Sequence, residues 1–353
     1  MANKAVKKTV MITGATGFVG SHLALTLAER GYHVRALVRN KSKAKHLEKA
    51  GVELVLGDLV RGTDVEAAAK GTQIIYHIAA LYRSVKYPNK IYKKVNVEGT
   101  RNVINAAEKL GIPRLVHCST VGVHGDIKSI PANEDAPFNP TDIYQKTKLE
   151  AEMLVAKAIK RGLHATIFRP VGVYGPGDMR FLKLFKNIHS GKFFMIGLGE
   201  VLYHLIYIDD LVEGAILCGE RQDAIGRTYI LAGPRYTTII KLSDLVAKAL
   251  GKDLPARRLP LAPFKLIASV CKILYKPFGI EPPLYPRRLD FFCKNRAFTS
   301  RRARRELGFR PKVDLAEGLA RTAKWYFDQG LLEGKPPVDL KAREYPDKDK
   351  NKG

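Results

Sequence analysis

The chain has 353 residues, 46% of them hydrophobic, which is enough to build the core of one large domain or two intimate ones. No uninterrupted apolar stretch in it is long enough to cross a bilayer as a helix. Sixty basic residues against 34 acidic ones leave a net charge of +26, which favours phosphate-rich partners of any kind; no nucleic-acid motif accompanies the charge, so a nucleic-acid partner is not expected.

Lys4, Lys7 and Lys8 ahead of Val10 to Gly20 mimic the charged and apolar parts of a signal peptide. Gly14, Gly17 and Gly20 would weaken such an apolar helix, so the start reads as mature, cytoplasmic sequence. Val10 to Ile12 is instead a strand, Gly14 to Gly20 a G-x-x-G-x-x-G turn, Leu23 to Gly31 an amphipathic helix, and Val34 to Val38 a second strand. In that order, glycines let backbone N–H groups approach a pyrophosphate at the helix N-terminus, although a purely structural turn would use glycine too.

A basic stretch after Arg39 runs to Lys49 as a helix. Strands follow at Glu53 to Leu56, Gln73 to Ile78, Arg114 to Cys118 and His164 to Phe168, with helices at Val95 to Leu110 and Tyr144 to Lys160. Such alternation predicts an α/β fold, a parallel sheet covered on both faces. Pro170 to Gly177 reads as a turn-rich loop, Phe181 to Ile188 as a helix, Tyr203 to Asp210 as a strand and acidic turn, Leu211 to Cys218 as a helix and Arg227 to Leu231 as a strand. From about Thr237 the chain is mostly helical, ending in a polar tail, Lys341 to Gly353, expected to be disordered. Residues 1–170, with 203–231 returning, are assigned to dinucleotide binding, 171–202 and 232–335 to the substrate, and 336–353 to the tail. Cys118, Cys218, Cys271 and Cys293 lack metal-ligand spacing and read as thiols in a reducing compartment; no metal is expected.

Two features suit hydride-transfer chemistry. Tyr144 and Lys148 are four apart on a predicted helix and share a face. A free phenol titrates near ~10, and bringing it to neutrality takes about 4 kcal/mol of preferential phenolate stabilisation, which an ammonium and a positive nicotinamide ring would supply. Ser119 and Thr120, at a strand end, offer hydroxyls to the same substrate oxygen. Each feature alone has a plainer reading, a surface pair and a turn cap.

With these pieces in place, the chain resembles the extended short-chain dehydrogenase/reductases, the family that includes NAD-dependent epimerases and dehydratases. The matching segments run from Thr13-Gly14-Ala15-Thr16-Gly17-Phe18-Val19-Gly20 through Gly57-Asp58-Leu59, His77-Ile78-Ala79-Ala80, Asn96 to Thr100, Ser119-Thr120, Tyr144 with Lys148, Arg169-Pro170, Val173 to Gly177 and Ile208 to Asp210, to Arg304 to Pro311. The resemblance implies a Rossmann-type doubly wound parallel sheet with a smaller, mostly helical C-terminal substrate domain. It implies that Tyr144 is the acid/base, that Lys148 lowers its pKa and holds the nicotinamide ribose, and that Thr120, with Ser119 second, polarises the substrate oxygen. Gly14, Thr16, Gly17, Phe18, Val19 and Gly20 would lie against the dinucleotide, Asp58 and Leu59 beside its adenine, and Ala79 and Ala80 at its middle. Asn96 would be structural or part of a proton relay. Members of the family are often homodimers.

Arg39 follows the second strand and no acid lies between Ala36 and Ser42, which favours NADP over NAD, with Arg35 placed nearby; Arg39 stacking on adenine would leave NAD open. Nucleotide-sugar members of the family carry an asparagine where this chain has Gly172, so the dihydroflavonol-reductase and hydroxysteroid-dehydrogenase branch is the nearer match. The expected activity is hydride transfer between nicotinamide and a hydroxyl or ketone carbon of a small, lipophilic molecule, in a pocket between Thr120, Tyr144 and Tyr174. A nucleotide-sugar epimerase with tightly bound NAD and a non-catalytic NADP-binding protein are the competing readings. Residues 252–312 hold sixteen basic and four acidic residues, and Phe264, Ile267, Ala268, Cys271 and Leu274 recur at helical spacing. Such a helix can lie on an anionic membrane; a solvated basic face over a domain core is the alternative.

Overall fold

The computed structural model describes residues 8–82, 87–255, 257–275 and 286–337; the predicted tail lies outside the described residues, as do Lys4 and Lys7. Seven strands build the central sheet: β1 (Thr9–Thr13), β2 (His33–Val38), β3 (Glu53–Leu56), β4 (Ile74–His77), β5 (Arg114–Cys118), β6 (Ala165–Pro170) and, after three strands of other sheets, β10 (Thr228–Leu231). All pair in parallel, in the order β10-β6-β5-β4-β1-β2-β3. Side-chain alternation explains why both faces are dry. Val10 and Ile12 join one core with Leu23, Leu27, Tyr76 and Phe168, while Met11 joins the other with Ile75, Val103 and Ile167.

Helices α1 (Phe18–Glu29), α2 (Lys45–Lys49), α3 (Gly62–Ala69), α4 (Asn89–Tyr92), α5 (Gly99–Lys109) and α6 (Ile143–Lys160) alternate with these strands. The predicted helix from Val95 to Leu110 starts earlier, because a wider π turn at Lys93–Glu98 joins α4 to α5. Helix α6 opens on a reciprocal cap: the Asp142 carboxylate accepts from Gln145 N–H, and the Gln145 side chain accepts from the backbone of Thr141 and Asp142.

The segment expected to be a loop after Pro170 contains β7 (Gly172–Tyr174). It is followed by α7 (Leu182–His189), β8 (Met195–Ile196), β9 (Leu202–Tyr207) and α8 (Ile208–Glu220), then by β11 (Tyr236–Thr238), α9 (Ile239–Ala249), β12 (Arg258–Leu259), α10 (Leu261–Tyr275), α11 (Pro286–Cys293), α12 (Arg301–Leu307) and α13 (Leu315–Asp328). Residues 203–231 therefore return to the central sheet only in part. β9 pairs with β7 and β11 in a second, three-stranded sheet, because β10 occupies the place beside β6. β8 and β12 form a separate parallel pair. Asp209 and Asp210 lie in the first turn of α8, where carboxylates favour the helix dipole, rather than in a turn before it.

Candidate active site

At the end of β1 the glycine turn is closed against its surroundings. Gly14 has φ +75°, and a Cβ there would sit 2.7 Å from the backbone of Ala79; one on Gly20 would sit 2.2 Å from the Gly14 carbonyl oxygen. Gly17 is the N-cap of α1 and brings no side-chain acceptor, and the first turn holds no acid. The opening N–H groups of a twelve-residue helix are thus left for an outside anion, as the diphosphate of a dinucleotide requires.

A cavity of about 1080 Å³ runs from this turn along the ends of the strands. Gly14, Thr16, Gly17, Phe18, Val19, Gly20, Arg39, Asp58, Leu59, Ala79, Ala80, Ser119, Thr120, Tyr144 and Lys148 all border it. Arg39 is exposed at its edge. Arg35 is not part of the wall: its guanidinium donates to Glu53 and to the Ala68 and Lys70 carbonyls, because its register on β2 turns it toward β3 and α3. Asp58 uses one carboxylate oxygen to accept from Val60 N–H, which fixes the turn after β3.

Tyr144 occupies the first turn of α6, held by the Asp142–Gln145 cap, and its ring meets Tyr82 edge to face at 5.0 Å. One turn on, Lys148 is buried, and its Nζ donates to the Cys118 carbonyl 2.5 Å away at the end of β5. Burial lowers the Lys148 pKa, while the Glu152 carboxylate acts in the opposite direction. The two candidate hydroxyls diverge. Thr120 is half-buried on the cavity wall, its Oγ accepting from Gly122 N–H at 3.0 Å, and its own O–H has no acceptor among the described residues. Ser119 is 2% exposed and its hydroxyl donates to Glu152. That carboxylate is held in turn by Arg169, Nε to Oε1 at 3.1 Å, and Arg169 also donates to the Glu134 carbonyl at 2.7 Å. Ser119 thus belongs to a buried ion-pair network behind the cavity. Tyr174 does not border the cavity at all: it is buried against Gly318 and Tyr207, and Gly172 borders the cavity in its stead.

Two buried histidines carried no separate signal in the sequence. Thr100 donates its hydroxyl to the Asn96 carbonyl, so it can only accept from His77 Nε2, 2.9 Å away. His77 Nδ1 then accepts from Thr13 Oγ, 2.7 Å away, and Thr13 Oγ accepts from Ala79 N–H. This chain of bonds fixes which nitrogen of the neutral imidazole carries the proton and ties the Ala79 backbone to β1 and α5. Burial, reinforced by Lys148, lowers the His77 pKa to about 3. His117, with ring centroids 5.2 Å from His77, is held well below its usual value by burial first and by Lys148 and His77 next. Asn96 is structural in its contacts, accepting from Leu81 N–H and donating to Thr147.

Sequence patterning also gave no sign of the cavity's far wall. There Phe181, Phe193, Phe194, Tyr203, Phe291 and Phe292 converge from four separate segments. Arg180 crosses it, anchored to Asp178 at 2.7 Å and lying over the Phe18 and Tyr82 rings.

A family model described as the NAD dependent epimerase/dehydratase family matches residues 10–232. The chain is 31% identical over 347 residues to 3beta-hydroxysteroid-dehydrogenase/decarboxylase isoform 1 of Arabidopsis thaliana, covering 88% of this chain and 78% of that one. It is 29% identical to a 3-beta-hydroxysteroid dehydrogenase of Mycolicibacterium neoaurum, covering 93% and 95%. Among solved structures, gox2253 superimposes with a TM-score of 0.79 at 32% identity, covering 93% of this chain and all of that one.

Proposed function

The chain belongs to the NAD dependent epimerase/dehydratase family, and from that membership we propose an NADP-preferring oxidoreductase that acts on a secondary alcohol or ketone of a flat, lipophilic, steroid-like substrate. The dinucleotide supplies the hydride donor or acceptor. Gly14, Gly17 and Gly20 admit its diphosphate, Arg39 receives the charge of a 2′-phosphate, and Ala79 and Ala80 lie along its middle. In the oxidative direction the substrate O–H proton passes to the Tyr144 oxygen as the C–H hydride departs; reduction is the reverse. Thr120 donates to the substrate oxygen and orients it. Lys148 places positive charge beside the phenol and favours its ionised form.

The aromatic far wall carries the reading of the substrate. Residues 171–202 and 232–335 supply five of its six rings, which offer a flat apolar substrate broad contact, and they add Arg180, Lys183, Asn187 and Arg296 at the same cavity. Gly172 adds to this: a Cβ there would sit 2.7 Å from the Leu205 side chain and 3.1 Å from the Tyr203 ring, so an asparagine would have to displace those side chains. The names of the two hydroxysteroid dehydrogenase relatives point the same way.

The test is a panel of hydroxysteroids, lipophilic ketones and nucleotide sugars, followed by absorbance of the reduced cofactor with NADP and NAD in parallel. Net cofactor turnover on the lipophilic compounds supports the proposal. Interconversion of nucleotide sugars by protein that purifies with bound nicotinamide, without net turnover, overturns it in favour of an epimerase.

A further inference from the structure

Helix α10 has apolar residues on two sides. Ala268 is buried with Ile196 and Leu289, and Leu261 and Phe264 pack on that cluster. The opposite side is open: Leu266, Ile267, Val270 and Leu274 are 69, 49, 46 and 60% exposed. At 3.6 residues per turn these four fall within about 100° of arc, a single stripe. Leu259 in β12 and Leu198 just after β8, 39 and 64% exposed, extend the apolar surface beyond the start of the helix. The outward side is therefore different from the one that sequence spacing selects, since Phe264 and Ala268 turn inward.

Basic residues accompany this stripe along the chain. Between Leu254 and Ile280 the sequence contains Arg257, Arg258, Lys265, Lys272 and Lys276 and no acid. Arg257, Arg258 and Lys265 are exposed. The stripe also adjoins the cavity: Phe264 stacks on Phe194 at 6.1 Å between ring centroids, and Phe194 is part of the cavity wall. Contiguous exposed apolar surface of this kind marks a contact with something other than water. A second copy related by a two-fold axis would bring the same basic rim against itself, which like charges oppose. Lipid phosphates would neutralise it.

We propose that α10 lies in the plane of an anionic bilayer, with Leu266, Ile267, Val270 and Leu274 among the acyl chains and Arg257, Arg258 and Lys265 at the phosphates. This goes beyond the proposed reaction and stands without it, although it places the cavity beside the compartment where a lipophilic substrate is concentrated.

The test uses the full chain and sedimentation with vesicles of phosphatidylcholine alone or mixed with phosphatidylglycerol. Binding to the mixed vesicles at low salt, with little to the neutral ones and release as salt rises, is the expected result. The triple variant Leu266→Glu, Val270→Glu, Leu274→Glu should fall to the neutral-vesicle level with its thermal midpoint unchanged. The triple variant Arg257→Glu, Arg258→Glu, Lys265→Glu should lose the preference for anionic lipid. Absence of binding to mixed vesicles at low salt overturns the proposal, as does equal binding by the leucine-and-valine variant. So does light scattering that shows a dimer which this variant dissociates and vesicles do not.

Discussion

The Lys148 ammonium reaches across from α6 to the Cys118 carbonyl, 2.5 Å away at the last residue of β5. One bond thereby fixes the cation relative to the strand end that carries Thr120. The same helix face presents Tyr144 one turn earlier, so the relative positions of phenol, ammonium and hydroxyl are set by α6 and the end of β5.

Tyr144→Phe keeps the ring that packs on Tyr82 and removes only the exchangeable proton. Turnover should fall by about 10²–10⁴-fold with cofactor affinity unchanged. Steady-state rates together with fluorescence titration of the reduced cofactor check both halves, and near-normal turnover would exclude Tyr144 as the acid/base.

Thr120 and Ser119 should separate cleanly. Thr120→Val is expected to lower turnover strongly, with only the loss of its cap bond from Gly122 N–H, about 1 kcal/mol, in stability. Ser119→Ala removes a hydrogen bond to a buried carboxylate and should cost about 1.5–3 kcal/mol of stability, with a smaller effect on rate. Urea unfolding and turnover measured on the same samples distinguish the two, and the opposite pattern would reassign the roles.

Arg39→Ser should weaken NADP binding by roughly tenfold to a hundredfold, the loss of a charge-assisted hydrogen bond of about 1.5–3 kcal/mol, and leave NAD binding little changed. The ratio of kcat/KM for the two cofactors reports it. An unchanged ratio would mean that Arg39 does not read the 2′-phosphate.

The histidine pair predicts sensitivity to acid. Unfolded, each imidazole takes up a proton near ~6.5. Folded, His77 does so only at about 3, and His117 is held well below its usual value. Below ~6.5 the unfolded state therefore binds more protons, and stability falls as pH drops, by up to ~1.4 kcal/mol per pH unit for each histidine. Neither nitrogen of His117 has a partner among the described residues, so His117→Leu should preserve stability at pH 7 and flatten the loss between neutral pH and pH ~5. Denaturant midpoints across that range test this; parallel curves for the two proteins would refute it.

Breaking the buried Glu152–Arg169 pair from one side should be costly. Glu152→Gln leaves an uncompensated guanidinium that is 4% exposed, with an expected loss of about 3–5 kcal/mol. The double variant Glu152→Leu, Arg169→Met should lose less than the sum of its single changes, read by a double-mutant cycle in urea.

The strand-helix alternation was legible because both faces of a parallel sheet are dry, which leaves continuous apolar runs such as Val34 to Val38. The glycine turn was legible because close backbone contacts at Gly14 and Gly20 exclude any side chain. Short strands were not. Gly172–Tyr174 is a strand only because β9, thirty residues on, lies alongside it, and local turn residues gave the stronger signal. Ser119 and Thr120 are equivalent as sequence; what separates them is the Glu152–Arg169 pair, built from two distant elements. The aromatic wall was illegible for the same reason, since no stretch of chain contributes more than a few of its residues.

The edge strand β10 is made only after the chain has left the sheet to build β7, β8 and β9. Tyr326 in α13 donates its hydroxyl to the Asp178 carbonyl, and the Asp210 carboxylate at the start of α8 accepts from the backbone of Lys312 and Val313. A fragment stopped at Ala232 would possess all seven strands but lack both of these clasps. The two halves of the molecule are stitched through one another, and grafting a foreign specificity region onto this scaffold would require at least two simultaneous splices.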